Sequence, residues 1–139
     1  MLARSQKGVW FKMYFRFGAI EIFVSNIEKA KEWYTQKLGF GIIEEYPEFK
    51  CVLAEFDGVE FDIGEPNPSW GEDWERYKKE IGKFTGVIFQ TDDIEKTCKE
   101  LQSRGVKFIK LPEENPWGEI RASFVDPDKN VFQILQVKK

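Results

Sequence analysis

A chain of 139 residues is one domain's worth of sequence, long enough to bury a core without disulfide or metal staples. Its formal charge of −3 argues against a nucleic-acid backbone as partner, and it contains no run of ~18 apolar residues that would span a membrane. Histidine is absent, which removes the commonest metal ligand and general base and excludes Ser-His-Asp and Cys-His mechanisms.

The first residues, MLARSQKGVWFKMYF, hold no apolar stretch of signal-peptide length, so a cytoplasmic location is expected; Met13 is a candidate start. Residues 9–17 alternate loosely, with Phe11, Met13, Phe15 and Phe17 on one side, and predict a strand that Gly18 interrupts. Residues 19–24 predict a second strand. Ile20, Ile22 and Val24 share one face, and Ala19, Glu21 and Phe23 the other. Ser25 and Glu28 have capping-box spacing and open a helix over 27–38. Ile27, Ala30, Trp33 or Tyr34, and Leu38 form its apolar stripe, and Gly39 suits a left-handed stop. Strands over 41–45, 50–56 and 59–64 follow, the last two joined by the hairpin signal Asp57-Gly58.

Residues 65–85 are an aromatic, charged insert with Trp70, Trp74, Tyr77 and Ile81 at helical spacing. The pattern then repeats: Ile27-Glu28-Lys29 recurs as Ile94-Glu95-Lys96, 67 positions later, with Asp92 and Glu95 as the second capping box and Gly105 as the second stop. A strand over 86–91, a helix over 94–104 and strands over 107–111, 119–125 and 131–137 complete the copy, with the turn 126–130 before the last. The organisation is one domain over 1–139: an extension and strand (1–18), a first βαβββ module (19–64), the insert (65–85) and a second module (86–137). Helices on one face of each sheet leave the other free to curl around a cavity. Cys51 and Cys98 have no metal or redox spacing and read as free thiols.

VSNIEKAKEWYTQKLGF in the first copy, with TDDIEKTCKELQSRGV and PWGEIRASFVDPDKNVFQIL in the second, resembles the glyoxalase, bleomycin-resistance and extradiol-dioxygenase superfamily over residues 19–136. The resemblance implies an α+β fold in which two tandem βαβββ modules form curved half-barrel sheets around a cavity, and a homodimer. It also implies where a metalloenzyme relative would carry its ligands: Ala19, Gly86, Gln133, and Glu60 or Asp62. One carboxylate out of four positions does not make a divalent site, so no metal and no other cofactor is expected.

Alternation places Glu21, Phe23, Glu60, Asp62, Gln90 and Gln133 on the faces opposite the helices, which predicts an acidic cavity or a solvent-facing polar sheet. Trp117 and Arg121 join these as ligand candidates, with Arg121 placed to hold an anion or neutralise Glu21 or Glu60. Trp70 and Trp74 are either a lid over the mouth or the anchor of the insert. The expected function is metal-free binding and sequestration of a small organic molecule, cationic and aromatic. The alternatives are a glyoxalase-like lyase or isomerase or a dioxygenase with a rearranged site, and an interaction module with a vestigial cavity.

Overall fold

Alternating apolar side chains on each strand and an apolar stripe on each helix dictate that helices cover one face of each sheet. The computed structural model describes residues 2–4, 10–12 and 14–137. A hairpin of β1 (Leu2–Arg4) and β2 (Trp10–Lys12) comes first. The strand expected over 9–17 is therefore shorter: Phe15 and Phe17 lie exposed outside any strand, and Val9 and Met13 fall outside the described residues.

The first copy comprises β3 (Ile20–Phe23), α1 (Ile27–Trp33), β4 (Gly41–Tyr46), β5 (Cys51–Phe56) and β6 (Val59–Gly64). The insert holds α2 (Glu72–Lys78). The second copy comprises β7 (Phe84–Gln90), α3 (Ile94–Ser103), β8 (Lys107–Glu114), β9 (Glu119–Val125) and β10 (Val131–Val137). The two sheets run β3-β6-β5-β4 and β7-β10-β9-β8. In each, the first and last strands of the copy pair parallel and the remaining pairs are antiparallel. The fold is α+β, with two open mixed sheets and no closed barrel.

The caps fall one residue later than the capping-box spacing suggests. Asn26 Oδ1 accepts from Lys29 N–H, and Asp93 Oδ1 from Lys96 N–H, each at 3.1 Å. Ser25 is committed elsewhere, donating through both its N–H and its hydroxyl to the Asp128 carboxylate. The N–H of each helix's first residue is met from the last strand of its copy or the residue just after it: Ile27 donates to Glu65 Oε2 at 3.0 Å and Ile94 to Gln136 Oε1 at 2.7 Å. After Trp33 the first helix widens into a π turn, Tyr34–Leu38, which Gly39 ends at φ +82°.

Both copies contribute to one core. Ile22, Val52 and Phe61 of the first sheet are buried in a single cluster with Val87, Phe124 and Phe132 of the second. Tyr34, rather than Trp33, is the fully buried aromatic of α1's stripe; its ring meets Phe132 at 6.0 Å, while Trp33 meets Phe124 at 6.4 Å. Phe56 and Phe89 close the contact edge-to-face at 5.4 Å. Each buried Phe contributes on the order of 1.5–3 kcal/mol, so this interface holds the copies together through their helix-covered faces. The opposite faces stay open. No helix among the described residues is long and apolar enough to cross a membrane.

Candidate functional site

On β3 and just after it, Ile22 and Val24 point into the core, which turns Glu21 and Phe23 to the open face of the first sheet. The parallel register sets Asp62 of β6 opposite Glu21, and the β5–β6 hairpin sets Glu55 opposite Glu60. Partial burial raises the pKa of Glu21, and the neighbouring Asp62 charge raises it further; burial likewise raises Asp62. Among the described residues none of these four carboxylates takes part in an ion pair. Like charges directly across a strand pair are unfavourable, so a positive guest on this face would relieve them. Glu60 and Glu55 line a cavity of about 600 Å³ with Phe17, Ile42 and Val59.

Cys51 belongs to the same face. It is half-buried, and burial, then the Asp62 and Glu21 charges, push its thiol pKa up. That is the reverse of what a nucleophilic thiolate needs. Gly64, across from it on β6, leaves room for this thiol: a Cβ at position 64 would lie 2.6 Å from the Cys51 Cβ.

The insert packs against this sheet through aromatic contacts. Phe23 stacks on Tyr77 at 4.9 Å and meets Trp70 edge-on at 6.3 Å, so Trp70 anchors the insert to β3. Trp74 instead carries the Lys78 ammonium 3.5 Å from its ring centre.

In the turn between β8 and β9 Trp117 is 73 % exposed, and its Nε1–H donates to Glu119 Oε1 at 2.7 Å. Arg121 donates from Nε to the same oxygen at 3.2 Å and from Nη1 to Gln133 Oε1 at 2.9 Å. These donors, Trp117 first, lower the Glu119 pKa. The arginine expected to neutralise Glu21 or Glu60 is held by Glu119, two residues away on the same face of the same strand.

The candidate residues therefore separate into groups instead of lining one cavity. Glu21, Phe23, Glu60 and Asp62 share the first sheet, and Arg121 and Gln133 the second, with Trp117 in the turn that joins β8 to β9. Gln90 lines a different cavity, between the copies. The cause is the shared core: the sheets join through their helix faces, so their open faces do not meet within one chain. Glu55 was not among the sequence candidates, although the Asp57-Gly58 turn carries its signal, because a two-residue hairpin must pair 55 with 60.

The superfamily's metal positions do not fit a metal here. Ala19 and Gly86 have no ligand atom. Gly86 also sits at φ +78°, which no side-chain-bearing residue adopts cheaply. The Gln133 oxygen is taken by Arg121. Among the described residues no group of three or more Cys, Asp or Glu could hold an ion.

Two tandem βαβββ modules with open sheet faces define a paired-module α+β protein of the glyoxalase type. The chain belongs to the Glyoxalase/Bleomycin resistance protein/Dioxygenase superfamily, whose family profile matches residues 16–134. A superfamily member from Sphaerobacter thermophilus DSM 20745 is 33% identical, with a TM-score of 0.72 over 89% of this chain and 99% of that one. TnmS3, an antibiotic-binding protein from Streptomyces sp. CB03234, is 26% identical, with a TM-score of 0.67 over 91% of this chain and all (100%) of that one. The uncharacterized protein YurT of Bacillus subtilis (strain 168) is 34% identical over 83% of this chain and 94% of its own length.

Proposed function

We propose that this protein binds and sequesters a small, ring-bearing organic cation without a metal. One observation carries the reading: Glu21, Asp62, Glu60 and Glu55 crowd one open sheet face in opposed pairs, with no basic partner among the described residues. Carboxylates beside apolar walls favour a positive guest, and the adjoining Phe23–Trp70–Tyr77 cluster supplies aromatic faces. The likeness to an antibiotic-binding protein is consistent with a binding role. A homodimer would cover the open faces and unite residues that one chain keeps apart, and a cytoplasmic location suits both thiols being free.

Titration with proflavine, a flat cation, and with 1-anilinonaphthalene-8-sulfonate, an anion, tests the proposal. Saturable quenching of tryptophan by the cation at least tenfold tighter than by the anion is expected; the reverse order overturns it.

The enzyme reading rests on Glu21, whose raised pKa suits a general base. The residue facing it is Asp62, a second carboxylate, and among the described residues no cationic side chain pairs with either, so binding without turnover accounts better for the face.

A further inference from the structure

A cavity of about 750 Å³ lies between the two copies, away from the acidic face, and ordinary small-molecule sites have this size. Both sheets and both helical segments wall it. Ile20 and Phe61 come from the first sheet, Leu38 from the end of the π turn, Phe89 from β7, and Leu101 from α3. Its floor is the hydrophobic core itself, since Phe61, Phe124 and Ile134 are each at most 2 % exposed and still line it. The groove opens to solvent at its rim, but water resting on this apolar floor gains few hydrogen-bond partners, so an apolar guest displaces it favourably.

The charges at its mouth cancel. Arg104 donates from Nη1 to the Lys37 carbonyl at 3.0 Å and pairs through Nη2 with Glu100 at 3.1 Å, so it ties α3 to the first copy rather than facing a guest. Lys96 and Asp57, of opposite sign, are the other charged residues of the rim. The Thr91 and Thr97 hydroxyls satisfy each other at 2.7 Å, so the lining offers a guest chiefly apolar surface.

We infer that this intermodule cavity is a second ligand site, for a neutral ring-bearing molecule. It is independent of the acidic face, and the two select by opposite chemistry: one by charge, the other by apolar surface and shape.

N-phenyl-1-naphthylamine, an uncharged dye that brightens in apolar surroundings, is the probe. Saturable binding of one dye per chain is expected. Ile20→Trp, at a half-buried side chain of β3 that packs on the core, and Leu101→Phe on α3 narrow the space from opposite sides. Each should weaken the dye at least tenfold while the circular dichroism spectrum is unchanged. Glu21→Gln and Glu60→Gln should leave dye affinity within twofold, even if they abolish binding of a cation. Three outcomes overturn the inference: no saturable signal; both filling variants binding like the parent; or dye released as rising protein concentration drives self-association, which would assign the cavity to a second copy of the chain.

Discussion

The Tyr34 hydroxyl donates to Asp126 Oδ2 at 2.7 Å, joining the first helix to the last turn of the chain across 92 positions. Asp126 is buried and also accepts from the N–H groups of Asp128 and Asn130 and from Asn130 Nδ2. Asn130 extends the clamp, donating from Nδ2 to the Phe23 carbonyl at 3.0 Å and accepting Gly82 N–H at 2.8 Å. One carboxylate thus fixes both copies and the insert in register.

Removing the phenol oxygen should weaken this clamp measurably. Tyr34→Phe is expected to cost about 1.5–3 kcal/mol, the usual range for a hydrogen bond to a charged group, read from urea unfolding with an unchanged slope. Burial raises the Asp126 pKa while the Tyr34 hydrogen bond lowers it, so losing the bond favours the protonated acid. The penalty should therefore be larger at neutral pH than below pH ~4, where the carboxyl is already protonated. An equal penalty at both pH values would count against this account.

The acidic face should carry a stability cost. Glu21 and Asp62 both have folded pKa values above their ordinary ones. The folded state then binds more protons than the unfolded chain across that window, so its stability is fully present below the unfolded pKa and falls as pH rises through the folded one. Glu21→Gln or Asp62→Asn should accordingly stabilise the protein at pH 7, by less than about 1 kcal/mol because both groups remain screened by solvent. The gain should vanish at pH 3. Thermal melts at the two pH values check it.

Local chemistry was legible in the sequence where one or two residues decide it. Asp57 and Gly58 both adopt positive φ, at 51° and 79°, as the hairpin signal requires, and Gly39 and Gly105 end their helices left-handed at 82° and 90°. Cap identity was less legible. Ser25 and Asn26 are both good caps, and only the distant Asp128, which engages Ser25, decides between them. The site was legible face by face, because alternation alone turns Glu21, Glu60 and Asp62 away from the core. How the two faces lie relative to each other depends on Phe56 meeting Phe89 and Trp33 meeting Phe124, contacts between copies that no periodicity encodes.

The purified protein should carry no stoichiometric transition metal. Gly86 at φ +78° and Gln133 bound to Arg121 leave the superfamily's positions without a ligand set. Elemental analysis after growth in metal-supplemented medium and a chelator wash should find well under one zinc, nickel, manganese or iron per chain. A retained equivalent would overturn the assignment.

Self-association is expected at micromolar concentration. Each sheet leaves its non-helical face open, with exposed Ile109 and Leu111 on β8 and Ile43 on β4. Light scattering should give about twice the 16.4 kDa of one chain. A clean mass of one chain would remove the dimer, and with it the means of bringing Arg121 and Gln133 to the acidic face.

Binding of a ring-bearing cation should depend on the carboxylates individually and on their ionisation. Glu21→Gln and Glu60→Gln should each weaken proflavine by about 1–3 kcal/mol, roughly 5- to 150-fold, the range of a lost charge-assisted contact. Glu32→Gln, on the exposed surface of α1, should change nothing beyond a small electrostatic term. Because Glu21 and Asp62 hold protons to higher pH than ordinary carboxylates, cation affinity should decline on acidification before an unperturbed carboxylate would titrate. The decline should be steeper in the parent than in Glu21→Gln, which has one fewer group to protonate. Calorimetry in two buffers of different ionisation enthalpy reads the same linkage as protons released on binding. Proton release that is identical in parent and variant would place the cation somewhere other than this face.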